Sequence, residues 1–234
     1  MDTLYVVMPA YNEKDNIEEV VSSWYPVLEG KSPESRIVVA DSGSTDDTHA
    51  ILEKMKETHP QLEILSDTGK FHGPKVIALY SYAIRQGADF IFQTDSDGQT
   101  LPEEFDAFWQ LRNGYKGIFG HRAVRGDGKS RAFVEKVVCF LLKCYFHVKV
   151  PDANAPFRLM DAKTVAKYLP RLDKDYNLPN IMMTTYFAYY KEEMTFRQVT
   201  FRPRQGGKNS INIRKIIKIG WKALKDFHNL KKAM

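Results

Sequence analysis

The sequence predicts an α/β fold in which a mostly parallel central sheet is flanked by helices. Three observations carry this expectation. Short apolar runs alternate with helical patterns from residue 4 to residue 100. The first, Leu4–Met8, is continuously apolar, as a strand covered on both faces requires. Each run ends in a cluster of turn-forming or acidic residues, where ligands of open α/β sheets bind. A chain of 234 residues with 43% hydrophobic content is large enough for one core of this kind.

Leu4–Met8 reads as the first strand, ended by Pro9. Asp15 or Asn16 caps a helix to about Leu28, with Glu18 and Glu19 in its first turn. Arg36–Ala40 is a second strand, followed by the turn-rich Asp41–Thr45 and a helix capped by Asp46 or Asp47. Leu62–Leu65 is a short strand, and Pro74–Gln86 a helix with Gly87 as its C-cap. Phe90–Thr94 is a fourth strand, ending at Asp95. Beyond it the pattern is less regular. Strands are expected over Tyr115–Gly120, Phe157–Met160 and Thr195–Phe201, and helices over Lys129–His147, from Ala162, over Leu178–Tyr190 and from Ile211 to the end.

Composition narrows the function. The net charge is +5, and from Arg197 onward eleven Lys and Arg face the single acid Asp226. The basic excess therefore belongs to the tail and favours an anionic partner. Ile213, Ile216, Ile217, Gly220, Trp221, Leu224 and Phe227 share one helical face, and Arg214, Lys215, Lys218, Lys222 and Lys225 the other. Such a basic amphipathic helix suits an anionic membrane interface; a helix packed on the domain with a solvated basic face fits the same pattern. No run of about 18 apolar residues marks a transmembrane helix, and the start lacks a signal-peptide pattern. The expected location is cytoplasmic, peripheral at the inner face of the membrane. Cys139 and Cys144 read as buried, reduced thiols. No nucleic-acid recognition motif is present, and nucleic acid is not an expected partner. Oligomeric state leaves no signature in the sequence.

Three strings at strand ends carry the chemistry. In Asp95-Ser96-Asp97-Gly98-Gln99 two carboxylates can turn toward one ligand, and hard oxygen donors suit Mg²⁺ or Mn²⁺ bound to a diphosphate. A loop with two solvated acids would look the same. In Pro9-Ala10-Tyr11-Asn12-Glu13 an aromatic and a carboxylate suit a base and a ribose, although a helix-capping turn also fits. Capping explains Asp46 and Asp47 but not Asp41. Arg122, Arg131, Arg158 and Arg204 lie beside element ends or a glycine-rich loop, where guanidinium groups can bind phosphate.

In this order and spacing, the three strings resemble family 2 of the inverting glycosyltransferases. The likeness covers residues 4–100 most strongly. It implies a Rossmann-like glycosyltransferase A fold and a nucleotide-sugar donor. By that likeness Pro9, Tyr11, Glu13, Asp41, Asp95 and Ser96 contact the nucleotide, Asp95 reaching ribose or metal, and Asp97 binds the metal. Gln99 resembles a further metal ligand in dolichyl-phosphate mannose synthases. Gly120-His121-Arg122, Arg125 and Ser130-Arg131 resemble that subgroup's arginines for an acceptor phosphate. Asp152–Met160 resembles a segment of bacterial polyprenyl-phosphate glycosyltransferases, with Pro156 where an acid is usual. Phe201–Ser210 resembles a segment that closes over the donor diphosphate, with one extra residue between Gly and Ser.

The expected organisation is one glycosyltransferase domain over 1–210, with a nucleotide-binding half at 1–100 and an acceptor half at 101–210, followed by the amphipathic helix at 211–234. The expected acceptor is a polyprenyl phosphate or a related lipid-linked molecule. Asp97 and Asp152 are the candidate catalytic residues, Asp152 as the base if the acceptor is instead a sugar hydroxyl. A nucleotidyltransferase is a more remote alternative, since Pro9–Glu13 lacks the glycine-rich loop expected of one.

Overall fold

The computed structural model describes residues 1–123, 129–203, 227, 228 and 231, with 129–131 by backbone alone. Seven strands form one sheet in the order β3-β2-β1-β4-β6-β5-β7. They are β1 (Leu4–Ala10), β2 (Arg36–Asp41), β3 (Leu62–Leu65), β4 (Phe90–Gln93), β5 (Gly117–His121), β6 (Arg158–Asp161) and β7 (Met194–Gln198). The helices are α1 (Ile17–Trp24), α2 (Thr48–Met55), α3 (His72–Arg85), α4 (Phe105–Trp109), α5 (Lys129–Phe146), α6 (Ala162–Tyr168) and α7 (Pro179–Tyr189). The predicted α/β architecture is present. Its one antiparallel member is β6, wedged between β4 and β5; the other neighbouring pairs run parallel.

Both faces of the sheet are covered, which explains why its strands lack polar alternation. Tyr5 and Val7 of β1 face a core with Val76, Leu79 and Tyr80 of α3, Tyr168 of α6 and Met182 of α7. Leu4, Val6 and Met8 face a second core with Trp24 of α1, Leu52 of α2 and Phe108 of α4. In that second core the Phe92 and Phe157 rings meet edge to face at 4.7 Å, a favoured aromatic geometry.

Several boundaries differ from expectation. β1 runs through Pro9 to Ala10, pairing Pro9 with Ala40 of β2. On its β4 side, Thr94 N donates to Val7 O, and that is where the β1–β4 ladder stops. Pro9 has no N–H with which to extend it. The first helix ends at Trp24 and tightens into a 3₁₀ turn over Tyr25–Leu28, where Pro26 lies. β7 stops at Gln198 rather than Phe201. Cys144 is exposed, correcting the expectation that both thiols are buried. Cys139 packs against the core, where burial and then Glu135 push its thiol up to about 12. The predicted helix over 211–234 lies outside the described residues except for Phe227, His228 and Lys231. Phe227 is buried and meets the Phe146 ring at 5.6 Å. Among the described residues no helix is long and apolar enough to cross a membrane.

α3 and the segment leading into α7 meet at Gly73. A Cβ there would overlap the Tyr176 carbonyl oxygen and lie 2.6 Å from Asn177 Cα. Gly73→Ala is therefore expected to destabilise the fold by about 1–3 kcal/mol, the usual cost of overpacking. Urea denaturation checks this; an unchanged midpoint would show that the 176–177 backbone yields without cost.

Candidate active site

The carboxyl ends of β1, β2 and β4 lie side by side, so their three following segments share one sheet edge. Ala10 is opposite Asp41, the last residue of β2. The first two segments are laced together by hydrogen bonds. Asn12 takes a left-handed φ of 55° and its N–H donates to Ser44 Oγ at 3.0 Å. Its side-chain oxygen accepts from Thr45 N at 2.8 Å, and its amide nitrogen donates to Thr45 Oγ1 at 3.2 Å. Glu13 N donates to Thr48 Oγ1 at 2.8 Å, and the Glu13 carboxylate accepts from Asn16 Nδ2 at 2.8 Å. Burial pushes the Asp46 carboxyl up, but hydrogen bonds from Thr48 and Lys14 outweigh it and hold the group below its ordinary range.

The third segment is pinned to β1. Ser96 is buried and its Oγ donates to Pro9 O at 2.8 Å. Gly98 has a φ of +71°, which costs glycine little; it turns the chain so that Gln99 N donates to Asp97 Oδ1 at 3.2 Å. Gln99 Nε2 donates to Arg202 O at 2.6 Å, and Arg202 N donates back to Gln99 O at 2.8 Å. With that amide nitrogen engaged, Oε1 is the atom of Gln99 suited to a metal. Asp95 Oδ1 is buried and accepts no hydrogen bond, with His72 Nε2 at 3.5 Å. A buried carboxylate oxygen without a donor is costly. Together with the Asp97 carboxylate and an amide oxygen, it makes a hard-oxygen set that fits Mg²⁺ or Mn²⁺. Among the described residues no group of three His, Cys, Asp or Glu side chains could hold a metal. Further ligands would have to come from diphosphate and water.

Beside these acids is a buried cation that the sequence did not reveal. Lys75, in the first turn of α3, is buried; its Nζ donates to Ala10 O and lies 5.3 Å from the Tyr11 ring centre. Lys70 Nζ lies 5.6 Å from that ring. Burial lowers Lys75 to about 8, with Asp41 pulling in the opposite direction. Asp41 is buried, accepts from Ser44 Oγ and has His49 Nδ1 at 3.3 Å from its other oxygen. Tyr11, Asp41 and Lys75 thus converge as an aromatic face, a carboxylate and an ammonium, the groups needed to hold a base and an anion.

The acceptor-half residues are arranged differently from expectation. Arg122 and Asp152 are not separate actors. Arg122 Nε and Nη2 donate to the two Asp152 oxygens at 2.8 and 2.9 Å, and Arg122 N and Asn154 N add bonds at 3.3 and 3.1 Å. Asp152 is only 2% exposed, so a sugar hydroxyl would have to displace Arg122 to use it as a base. Glu135 of α5 joins the cluster, 3.7 Å from Arg122 Nη2, and accepts from Ala153 N at 2.8 Å. The Arg122 guanidinium lies 5.1 Å from the Phe201 ring centre.

Arg158 is a correction. It is 1% exposed in β6, and its guanidinium donates to the carbonyl oxygens of Ala155 and Asn180. It closes backbone groups inside the fold and presents nothing to a phosphate. Arg125, Arg204 and the Arg131 side chain lie outside the described residues.

The family-2 glycosyl transferase model matches residues 5–169, spanning all three strand-end segments. The chain belongs to glycosyl transferase family 2. It is 28% identical over 219 residues to an uncharacterized glycosyltransferase of Synechocystis, covering 91% of this chain and 65% of that one. It is 29% identical over 101 residues to the polyprenol monophosphomannose synthase of Mycolicibacterium smegmatis, covering 42% of this chain and 37% of that one. The undecaprenyl-phosphate mannosyltransferase of Micrococcus luteus is 24% identical over 166 residues, covering 68% and 66%. The chain thus spans less than two thirds of the length of each of these three relatives. The same fold occurs in glucosyl-3-phosphoglycerate synthase of Mycobacterium tuberculosis, solved with Mn²⁺, UDP-glucose and phosphoglyceric acid. That similarity has a TM-score of 0.70 at 16% identity over 99% of this chain and 80% of that one.

Lys75 supplies a pH test. Its cationic form lies beside Tyr11 and Asp41, the expected nucleotide contacts, and is lost as pH rises through about 8. Nucleoside-diphosphate affinity should therefore fall from about pH 7 to about pH 9, a range above the second phosphate pKa near 6. Lys75→Met should weaken binding at the lower pH and flatten this decline. Titration calorimetry of both proteins measures it; an equal slope in the variant would assign the decline elsewhere. Stability moves the opposite way. The unfolded lysine titrates at 10.5 and the folded one near 8, so the unfolded chain holds more protons between them and stability rises with pH there.

Proposed function

We propose that the protein transfers a sugar, with inversion, from a nucleotide sugar to the phosphate of a polyprenyl phosphate. The observation that carries the donor half is the convergence of Tyr11, Asp41 and the Asp95–Gln99 turn on one sheet edge, each segment hydrogen-bonded to another part of the fold. The acceptor half is supported by the relatives named for polyprenyl-phosphate chemistry and by the state of Asp152. A phosphate oxygen is already a nucleophile and requires no base.

In this reading the Tyr11 ring and Asp41 orient the base, and Lys75 adds positive charge beside them. Asp95, Asp97 and Gln99 Oε1 would hold Mg²⁺ or Mn²⁺ against the donor diphosphate. When bound, the ion neutralises charge growing on the leaving group. The protein's share is then to fix the sugar between diphosphate and acceptor and to exclude water, which makes positioning the main catalytic contribution. Arg131 and Arg204 are assigned to phosphate contacts. Arg122 acts through its lock on Asp152, which shapes the acceptor wall. Such an acceptor lies in a membrane, and in this reading the protein works at the membrane's inner face.

With a nucleotide sugar, Mn²⁺ and a short-chain polyprenyl phosphate, the wild type should form a lipid-linked sugar phosphate. Asp97→Asn should keep the fold, checked by circular dichroism, and lose about a hundredfold or more in turnover. Full turnover by that variant at saturating Mn²⁺ would remove Asp97 from the site.

A second reading, transfer to a sugar hydroxyl, is favoured only if Asp152 is released from Arg122. Asp152→Asn separates the two. It should lower stability by up to about 3–5 kcal/mol, because Arg122 loses its nearest charged partner and keeps Glu135 at 3.7 Å. Well below the variant's unfolding midpoint it should still form product on the phosphate acceptor. Loss of transfer by about 10²–10⁴-fold with donor binding intact would instead make Asp152 the base.

A further inference from the structure

The strongest feature outside the donor site is the outer face of α5. Phe133 is 68% exposed, Val137 40% and Phe140 64%, three of the six large apolar residues exposed among the described residues. They follow one another at helical spacing, and exposed Cys144 continues the line. Exposed Lys136 and Lys143 lie along one side of it, and exposed His147 follows the end of the helix. Glu135, the only acid in the α5 sequence, faces inward to Arg122 and Ala153. Leu142 and Phe146 fill the opposite, buried side, and Phe227 meets the helix there. The outer face is thus apolar along its middle, basic along one margin and free of acid.

We propose that this face of α5 docks on an anionic lipid surface, with the helix lying in the plane of the interface. Its 18 residues span about 27 Å. Aromatic and aliphatic side chains would enter the headgroup boundary, and the lysines would meet lipid phosphates. A water-facing helix has no use for two large rings and a valine in line, and the absence of acid removes the repulsion that anionic lipid would otherwise exert. The docking surface stands on these observations alone; its service to a lipid-borne acceptor rests on the function proposed above. Glu135 would then connect that surface to the Arg122–Asp152 wall, from the opposite side of the same helix.

The test uses the full chain and vesicles of phosphatidylcholine with or without phosphatidylglycerol, without nucleotide sugar or polyprenyl phosphate, so its outcome is independent of the transfer reaction. A nitroxide is attached at Cys144; Cys139 stays protonated and is passed over. With anionic vesicles the label should gain collisions with oxygen and lose collisions with an aqueous nickel complex, and added salt should weaken the effect. In unlabelled protein, Phe133→Asp/Phe140→Asp should lower vesicle partitioning by about tenfold or more, with the circular dichroism spectrum and nucleoside-diphosphate affinity unchanged. Three results would overturn the proposal: no binding by the wild type, equal binding by the double variant, or a label that stays in water on vesicle-bound protein. A wild-type dimer that the double variant turns into a monomer, with neither binding lipid, would make a second copy of the chain the occupant instead.

Discussion

Pro9 has no backbone N–H, and it sits where β1 would otherwise go on pairing with the chain beyond β4. The β1–β4 ladder ends at the bond from Thr94 N to Val7 O. From there the chain leaves the sheet, and Ser96 Oγ returns to cap the unpaired Pro9 carbonyl. Asp95 and Asp97 flank that anchor, so the carboxylates are held at the sheet edge by a side-chain hydrogen bond instead of a strand ladder. On its other side β1 continues to Ala10 against Asp41, which brings the second acidic segment level with the first. Where one donor is missing, the sheet gives way to the site.

The buried charges divide into two kinds. Arg158 and the Arg122–Asp152 pair are satisfied within the protein, and their role is to hold segments together: β6 to the start of α7, and the end of β5 to the 152–154 turn. Pairs of this kind add little net stability when intact, yet removing one partner is expensive. Lys75 is different. It has one carbonyl and an aromatic ring for company, and burial has already lowered its pKa to about 8. Asp41 offsets only part of that burial cost, which leaves a cation beside Tyr11 for the nucleotide in the function proposed above.

The fold of the first hundred residues was legible because its signals are local. Strands β1, β2 and β4 are built around apolar runs, and the three acidic turns each follow one of them within a few residues. The insertion of β6 between β4 and β5 was not legible, since strand adjacency across the sheet leaves no mark in either strand's composition. Arg158 was misread for a related reason: the sequence displays a charge but not its depth, and the Asn180 carbonyl that receives it is 22 residues away. Lys75 was missed because its partner Ala10 lies 65 residues earlier, and a lysine in the first turn of an amphipathic helix gives no cause for notice. The Arg122–Asp152 bond, 30 residues in span, turned two separate candidates into one structural unit.

The lacing between Asn12 and the 44–45 turn has a bearing on how this protein changes over generations. Asn12 donates to Ser44 and Thr45 and accepts from Thr45, so neither segment keeps its shape without the other's side chains. A replacement at position 12 leaves donors and acceptors stranded across the gap, and one at 44 or 45 does the same in reverse. A change in one stretch therefore calls for a matching change in the other, although more than thirty residues of chain separate them. A chimera that takes one of them from a relative inherits a mismatched seam unless it takes both.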